Sequence, residues 1–232
     1  MKKLLLIALV LTTMHYSLSA QIINALSARE KQQGWELLFN GKNTNGWHVY
    51  LKADAEAWGV NDGILHLDTS SKAHGDLITN KEYTNFELKL DWKVPKGGNS
   101  GIIFNVHEDS AFAYTFLTGI EMQILDNKGA EDNKQANHLA GSLYDLIAPA
   151  HPAKPAGDWN SVKIRKLNNH LTFWLNDKKV VETQVGNTQW YRMLKTSKYK
   201  TWKSYATYPK GHIALQDHGA AVSFRNIRIK AL

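Results

Sequence analysis

Apolar residues recur at every second position through much of this chain. Phe86-Glu-Leu-Lys-Leu-Asp-Trp92 alternates strictly, with Leu88, Leu90 and Trp92 on one face and Glu87, Lys89 and Asp91 on the other. A period of two predicts a β-strand buried on one side. Gly101–His107, Glu121–Leu125, Asn160–Arg165, Leu171–Leu175, Lys178–Glu182, Gly211–Gln216 and Ala221–Ile229 are read as strands too. Asn176-Asp177, between two of them, suits a two-residue hairpin turn. Helical periodicity is confined to short pieces near Leu26–Gln33 and Thr188–Leu194. Many short strands separated by turn signals predict an all-β antiparallel sandwich. No repeat or low-complexity linker interrupts residues 34–232, so they read as one domain preceded by a short segment, 21–33.

The same alternation sorts the polar residues. In Ile102–His107 it places Ile102, Phe104 and Val106 together, with Asn105 and His107 opposite. Glu121 and Gln123 oppose Met122 and Ile124, Gln216 and His218 oppose Ile213 and Leu215, and Trp174 points away from the core of its strand. If these faces adjoin in one sheet, they form a floor of amides, imidazoles and a carboxylate beside an aromatic ring. Planar hydrogen-bonding groups suit sugar hydroxyls, and a ring suits the apolar face of a pyranose. Glu121 stands in a nearly apolar strand, where a carboxylate is usually paired or functional. Asp126 is either a site residue or a turn residue in Asp126-Asn127-Lys128-Gly129. His138 and Tyr144 lie in the loop Asn137–Tyr144, where a proton donor would have room.

The N-terminus has a different character. Met1-Lys2-Lys3 precedes an unbroken apolar run, Leu4–Leu11, and small residues end at Leu18-Ser19-Ala20. This is the pattern of a secretory signal, residues 1–20, and implies a soluble protein exported to the periplasm or beyond. The run falls short of the ~20 apolar residues that span a bilayer, so no membrane span is expected.

The formal charge of +7 first suggests a polyanion partner. Lys2 and Lys3 carry two units, and Trp190–Lys210 carries six, through Arg192, Lys195, Lys198, Lys200, Lys203 and Lys210. The remaining residues are close to neutral. A nucleic-acid-binding protein spreads its basic residues more widely, so no nucleic-acid partner is expected. The six basic residues interleave with Trp190, Tyr191, Tyr199, Trp202, Tyr205 and Tyr208, as in a loop that stacks on sugars over a cleft. The chain has no Cys, which excludes disulfides, thiolate metal sites and Cys nucleophiles. No P-loop, Rossmann glycine pattern or GxSxG elbow supports nucleotide or serine-hydrolase chemistry. His, Glu and Asp are ligand types for a divalent cation, but no HxH or HExxH spacing is present.

An ordered set of strings gives the chain a family likeness. Gly34-Trp-Glu-Leu-Leu-Phe-Asn-Gly-Lys42, Trp58-Gly-Val-Asn-Asp-Gly63, Asn99-Ser-Gly-Ile102 and Gly119-Ile-Glu-Met-Gln-Ile-Leu-Asp126 come first. Ala140-Gly-Ser-Leu-Tyr144, Gly157-Asp-Trp-Asn160, Gly211-His-Ile-Ala-Leu-Gln-Asp-His-Gly219 and Phe224-Arg-Asn-Ile-Arg-Ile229 follow. Together they resemble the 3-keto-disaccharide hydrolase domain family, also described as 3-keto-glucoside lyase or hydratase domains. The resemblance implies a concanavalin A-like jelly roll with a concave polar cleft. It implies action on glycosides whose C3 hydroxyl an upstream sugar oxidoreductase has converted to a ketone. Such a ketone acidifies the C2 proton, so a base can start β-elimination of the aglycone, and water can then add.

On that basis Glu121 or His138 is the expected base, and His218 or Tyr144 the expected leaving-group acid. Gln123, Asn105 and Gln216 are expected to hold hydroxyls or the enolate oxygen, and Asn99, His107, Asp126 and Trp174 complete the sugar-binding set. A divalent cation is an open alternative to the oxyanion donors. The competing enzymatic reading is a laminarinase-type endo-glycosidase, whose Glu-x-Asp-x-x-Glu strand has the spacing of Glu121, Gln123 and Asp126. The competing non-enzymatic reading is a carbohydrate-binding protein on the same fold.

Overall fold

A computed structural model describes residues 23–52 and 56–232, so the expected signal segment 1–20 lies outside the described residues. The chain folds into two antiparallel sheets, as the alternation predicts. The larger sheet runs β11 (Lys178–Gln184), β10 (His170–Leu175), β9 (Asn160–Leu167), β6 (Phe86–Lys93), β13 (Ser223–Ala231), β4 (Ile64–Leu67) and β3 (Trp58–Asn61). Farther along β13, β1 (Trp35–Leu37) takes the position beside it. The smaller sheet runs β2 (Trp47–Val49), β5 (Leu77–Thr79), β12 (His212–Leu215), β7 (Asn99–Val106) and β8 (Ile120–Leu125). Two short helices, α1 (Ala28–Gln32) and α2 (Thr188–Thr196), fall where helical periodicity predicts them.

The sheets pack through their apolar faces. Leu88, Leu90 and Trp92 of β6, Ile164 of β9 and Phe173 of β10 meet Ile102 and Phe104 of β7 and Met122 and Ile124 of β8. Phe104 joins the layers directly, with its ring edge-on to Phe86 at 5.8 Å and to Phe173 at 6.0 Å. Removing such a ring typically costs about 3–5 kcal/mol. The hairpin between β10 and β11 turns on Asn176 and Asp177, both with positive φ, at 50° and 64°. The left-handed backbone at both positions is what a two-residue turn needs to follow the strand twist.

One departure from strict alternation matters. Asn105 has φ 59°, and the β7–β12 register shifts between His212 and Ile213. Gly211 fits this bulge because a Cβ there would collide with the backbone of Asn105 and Val106. The bulge reverses the phase of β7: Val106 packs beside Ile103, Ile78, Ala214 and Tyr50 on the outer side of the small sheet, not with Ile102 and Phe104.

Strands β1 to β5 went unmarked by the alternation because they have three or four residues each, too few for a period of two to register. The basic segment also differs from expectation. Beyond the expected helix α2 it makes a short 3₁₀ turn, and Trp190, Tyr199 and Tyr205 are buried in the core rather than open to a cleft. Tyr199 and Tyr205 stack on each other at 3.7 Å, so these rings hold the segment to the sandwich instead of facing a sugar.

Candidate active site

Three neighbouring strands of the small sheet build the floor of a cleft. Gly101 of β7 lies opposite Gln123 of β8, and Ile103 lies opposite Glu121. On the other side of β7, the Gln216 amide donates to the Gly101 carbonyl at 2.9 Å as the chain leaves β12. The polar faces predicted for Glu121–Leu125 and Gly211–Gln216 thus meet across a glycine. Asn99, Glu121, Gln123, Gln216 and His218 line a pocket of about 160 Å³, with Phe116 as its aromatic wall.

Glu121 is 4% exposed, and its carboxyl leans over Gly101, where a Cβ would run into Oε1. Burial pushes its carboxyl up to about 7. Negative charges on Asp76 and Asp132 push the same way, while the cation Lys198 opposes them. No described residue donates a hydrogen bond to this carboxyl. A nearly buried acid in that condition is open to a ligand's proton.

The second wall is a loop that closes the free edge of β8. The Gly141 amide donates to the Gln123 carbonyl at 2.8 Å, the Gln123 amide to the Ser142 carbonyl at 3.1 Å, and the Tyr144 amide to the Glu121 carbonyl at 3.1 Å. These bonds satisfy an edge strand that would otherwise be open to other chains. They also bring Tyr144 to the cleft, with His138 packed against it. Tyr144 Oη donates to Asp132 Oδ2 at 2.7 Å, and the His138 ring stacks on Tyr144 at 4.5 Å. The two nitrogens of His138 face different carboxylates, Nδ1 to Asp132 at 2.7 Å and Nε2 to Asp145 at 3.0 Å. Each ring nitrogen is therefore engaged by a carboxylate rather than turned toward a ligand. Burial and the Asp132 bond hold the Tyr144 hydroxyl protonated, well above the ordinary phenol range.

Lys198 enters from the 3₁₀ turn after α2. Its amide donates to Asp145 at 2.6 Å, and its ammonium sits over Tyr144 at 4.0 Å and within 6 Å of Tyr199, Trp202 and Phe116. Asp132, Phe116 and Lys198 were not picked out from the sequence. Lys198 was one of six basic residues in its segment, and Asp132 one of several acids in a turn-rich loop. Phe116 carried a faint signal, as Phe112, Tyr114 and Phe116 alternate with the small residues Ala113 and Thr115.

Four expected site residues stand elsewhere. Trp174 belongs to the larger sheet, on its outer face, with the Lys163 ammonium 3.6 Å above its ring, so a whole sandwich separates it from the cleft. Asn105 is carried out of the floor by the bulge and donates to the Tyr208 carbonyl at 2.6 Å. His107, beyond the bulge, stacks on Tyr208 at 4.0 Å. Asp126 is a turn residue, accepting the amides of Gly97 at 2.9 Å and Lys128 at 3.1 Å. Among the described residues, no group of three or more His, Asp or Glu side chains is spaced to hold a metal ion. No helix among them is long and apolar enough to cross a membrane.

The chain is similar to known proteins over most of its length. A 3-keto-disaccharide hydrolase of Bacteroides thetaiotaomicron is 34% identical over 246 residues, covering 93% of this chain and 84% of that protein. A crystal structure of a candidate glycosyl hydrolase from Parabacteroides distasonis superposes with a TM-score of 0.85 at 32% identity, over 91% of this chain and 100% of that one. A second structure from that organism, described likewise, gives 0.68 at 29% identity, over 85% and 99%. Residues 34–230 match the family model of the 3-keto-alpha-glucoside-1,2-lyase-like domain, and the chain belongs to that family.

Proposed function

We propose that this protein cleaves glycosides bearing a ketone at C3, by proton abstraction and elimination followed by hydration, with Glu121 as the base. The observation that carries the reading is the Glu121 carboxyl itself: nearly buried, without a donor from the described residues, and pushed up to about 7. A base with a value near neutral is matched to removing a carbon acid's proton at physiological pH. His138 is the weaker candidate because both of its nitrogens are engaged.

The chemistry follows from the ketone. Glu121 takes the C2 proton, and the C2–H electrons move into an enolate whose charge rests on O3. As the C3 carbonyl reforms, a C1–C2 double bond forms and the C1–O bond to the aglycone breaks. In this reading His218 protonates the departing oxygen, a role supported by its exposure at the mouth of the pocket. Lys198 and the amides of Gln123, Gln216 and Asn99 supply positive charge and donors where the enolate develops. Asn99 Oδ1 is buried without a partner among the described residues, which supports a role for that side chain in holding a sugar hydroxyl. Water then adds at C1 while C2 regains a proton, giving net hydrolysis.

An endo-glycosidase of laminarinase type finds less support, since Gln123 is an amide and Asp126 is committed to a turn. The ketone requires an upstream oxidoreductase, and the N-terminal pattern supports export of the mature chain. The test is incubation with a 3-keto-disaccharide and with its unoxidised parent. Release of sugar from the keto substrate alone supports the proposal. Binding of both without products assigns the protein to carbohydrate recognition instead.

A further inference from the structure

We infer that the hollow beneath α2 is a second carbohydrate-binding site, which takes one neutral hexose unit and is separate from the Glu121 pocket. The inference does not depend on the reaction proposed at Glu121.

The hollow measures about 360 Å³. That is the lower end of the ~300–1,000 Å³ usual for small-molecule sites, which suits one sugar ring rather than an oligosaccharide. Its floor lies at the inner face of the larger sheet, where Lys166 shares the buried side of β9 with Val162 and Ile164. Asn105 enters from the bulge in β7. The mouth opens to solvent past Asn169, Tyr191 and Lys203, all exposed.

Two nearly buried polar groups on this floor have hydrogen-bonding capacity left over. Lys166 is 1% exposed, and its Nζ donates to the carbonyls of Thr84 at 2.6 Å and Pro209 at 2.8 Å. An ammonium has a third hydrogen to give. Burial pushes this one down to about 8. Asn105 is 2% exposed and donates from Nδ2 to the Tyr208 carbonyl at 2.6 Å. Its Oδ1 is buried with no donor among the described residues. The carbonyls of Tyr208 and Pro209 are successive, so both groups are anchored to one stretch of backbone. One needs an acceptor and the other a donor.

A hydroxyl meets both needs, since its oxygen accepts from Lys166 and its hydrogen goes to Asn105 Oδ1. A carboxylate would suit Lys166 but repel the Asn105 oxygen, and an apolar ligand would suit neither. The wall adds the complementary half of a sugar's surface. Tyr191 is 57% exposed at the mouth, and the half-buried Trp202 lines the hollow as well. Such rings pack against the C–H face of a pyranose. Trp202 rests on Phe116 at 5.9 Å, and Phe116 in turn lines the Glu121 pocket. The two rings form the partition between the sites, and no residue lines both.

The test titrates the methyl glycosides of glucose, galactose and mannose, none of which carries a ketone, by tryptophan fluorescence and saturation-transfer NMR. At least one should bind saturably. Its Kd should rise about tenfold in Asn105→Gly, which tolerates the left-handed backbone and removes the amide. In Tyr191→Ala it should rise about three- to tenfold. In Gln123→Ala, which alters the Glu121 pocket, it should stay within about twofold. Melting temperatures check that each variant folds, and the surface position of Tyr191 keeps the test decisive if Asn105→Gly does not. Saturable binding of none of the three, a Kd that Tyr191→Ala leaves unchanged, or binding that Gln123→Ala abolishes overturns the site.

Discussion

The Glu121 carboxyl occupies the volume that a side chain at Gly101 would fill. The two residues sit on adjacent antiparallel strands, Glu121 opposite Ile103 and Gly101 opposite Gln123. Substituting Gly101 therefore moves the base without touching its chemistry. Gly101→Ala should lower kcat on a 3-keto-glycoside by about 10²-fold, the usual cost of displacing a catalytic group by around 1 Å. Overpacking costs about 1–3 kcal/mol, so the variant should still fold, which circular dichroism and thermal melting can check.

Glu121→Gln should lower turnover by about 10²–10⁴-fold. In the unaltered protein kcat/KM should rise with pH through a midpoint near 7, where Glu121 loses its proton. The residual activity of the variant should lack that limb.

The same carboxyl predicts a pH-dependent stability. Its folded value of about 7 lies above its ordinary 4.5, so the folded state holds the proton more tightly than the unfolded chain. The stabilising contribution is complete below pH 4.5 and is lost as pH rises through about 7, at a cost of about 3 kcal/mol. Melting curves should show Glu121→Gln gaining on the unaltered protein between pH 5 and 8, and becoming the more stable at pH 8.

Lys198 lowers the affinity of Glu121 for its proton. Lys198→Met keeps the apolar stem against the surrounding rings but removes the charge. The rising limb of kcat/KM should then move to higher pH, and the plateau should fall because the enolate loses a cation. A limb that stays in place would separate Lys198 from Glu121.

Trp174→Ala should leave kcat/KM within about twofold, because this ring faces outward from the opposite sheet under Lys163. Phe116→Ala, by contrast, should raise KM. Assays of both variants on one substrate test which aromatic the sugar meets.

What could be read from the sequence followed the range of each physical signal. Alternation is local, so the long strands β6, β9 and β10 and the hairpin at Asn176-Asp177 were legible, as was the outward aim of Glu121, Gln123 and Gln216. That these three adjoin depends on β7 lying between β8 and β12, a pairing over long sequence separations that no local pattern records. The Asn105 bulge misled the reading of Asn105, His107 and Val106, since one residue in left-handed backbone shifts every later side chain on the strand. Trp174 was misplaced for a different reason. Its parity was right, but a sandwich has two outer faces, and alternation does not say which sheet a strand joins. Asp132 and Lys198 reach the cleft on loops, where side-chain direction has no period to follow.

The central claim is that the glycosidic bond breaks only after Glu121 removes the C2 proton. Cleavage of a methyl 3-keto-glucoside in D₂O, followed by NMR at early times against an enzyme-free control, tests it most directly. The account predicts that the released 3-keto sugar carries solvent deuterium at C2, because hydration of the unsaturated intermediate returns a proton from water. Release of a sugar that keeps its original C2 hydrogen would contradict it.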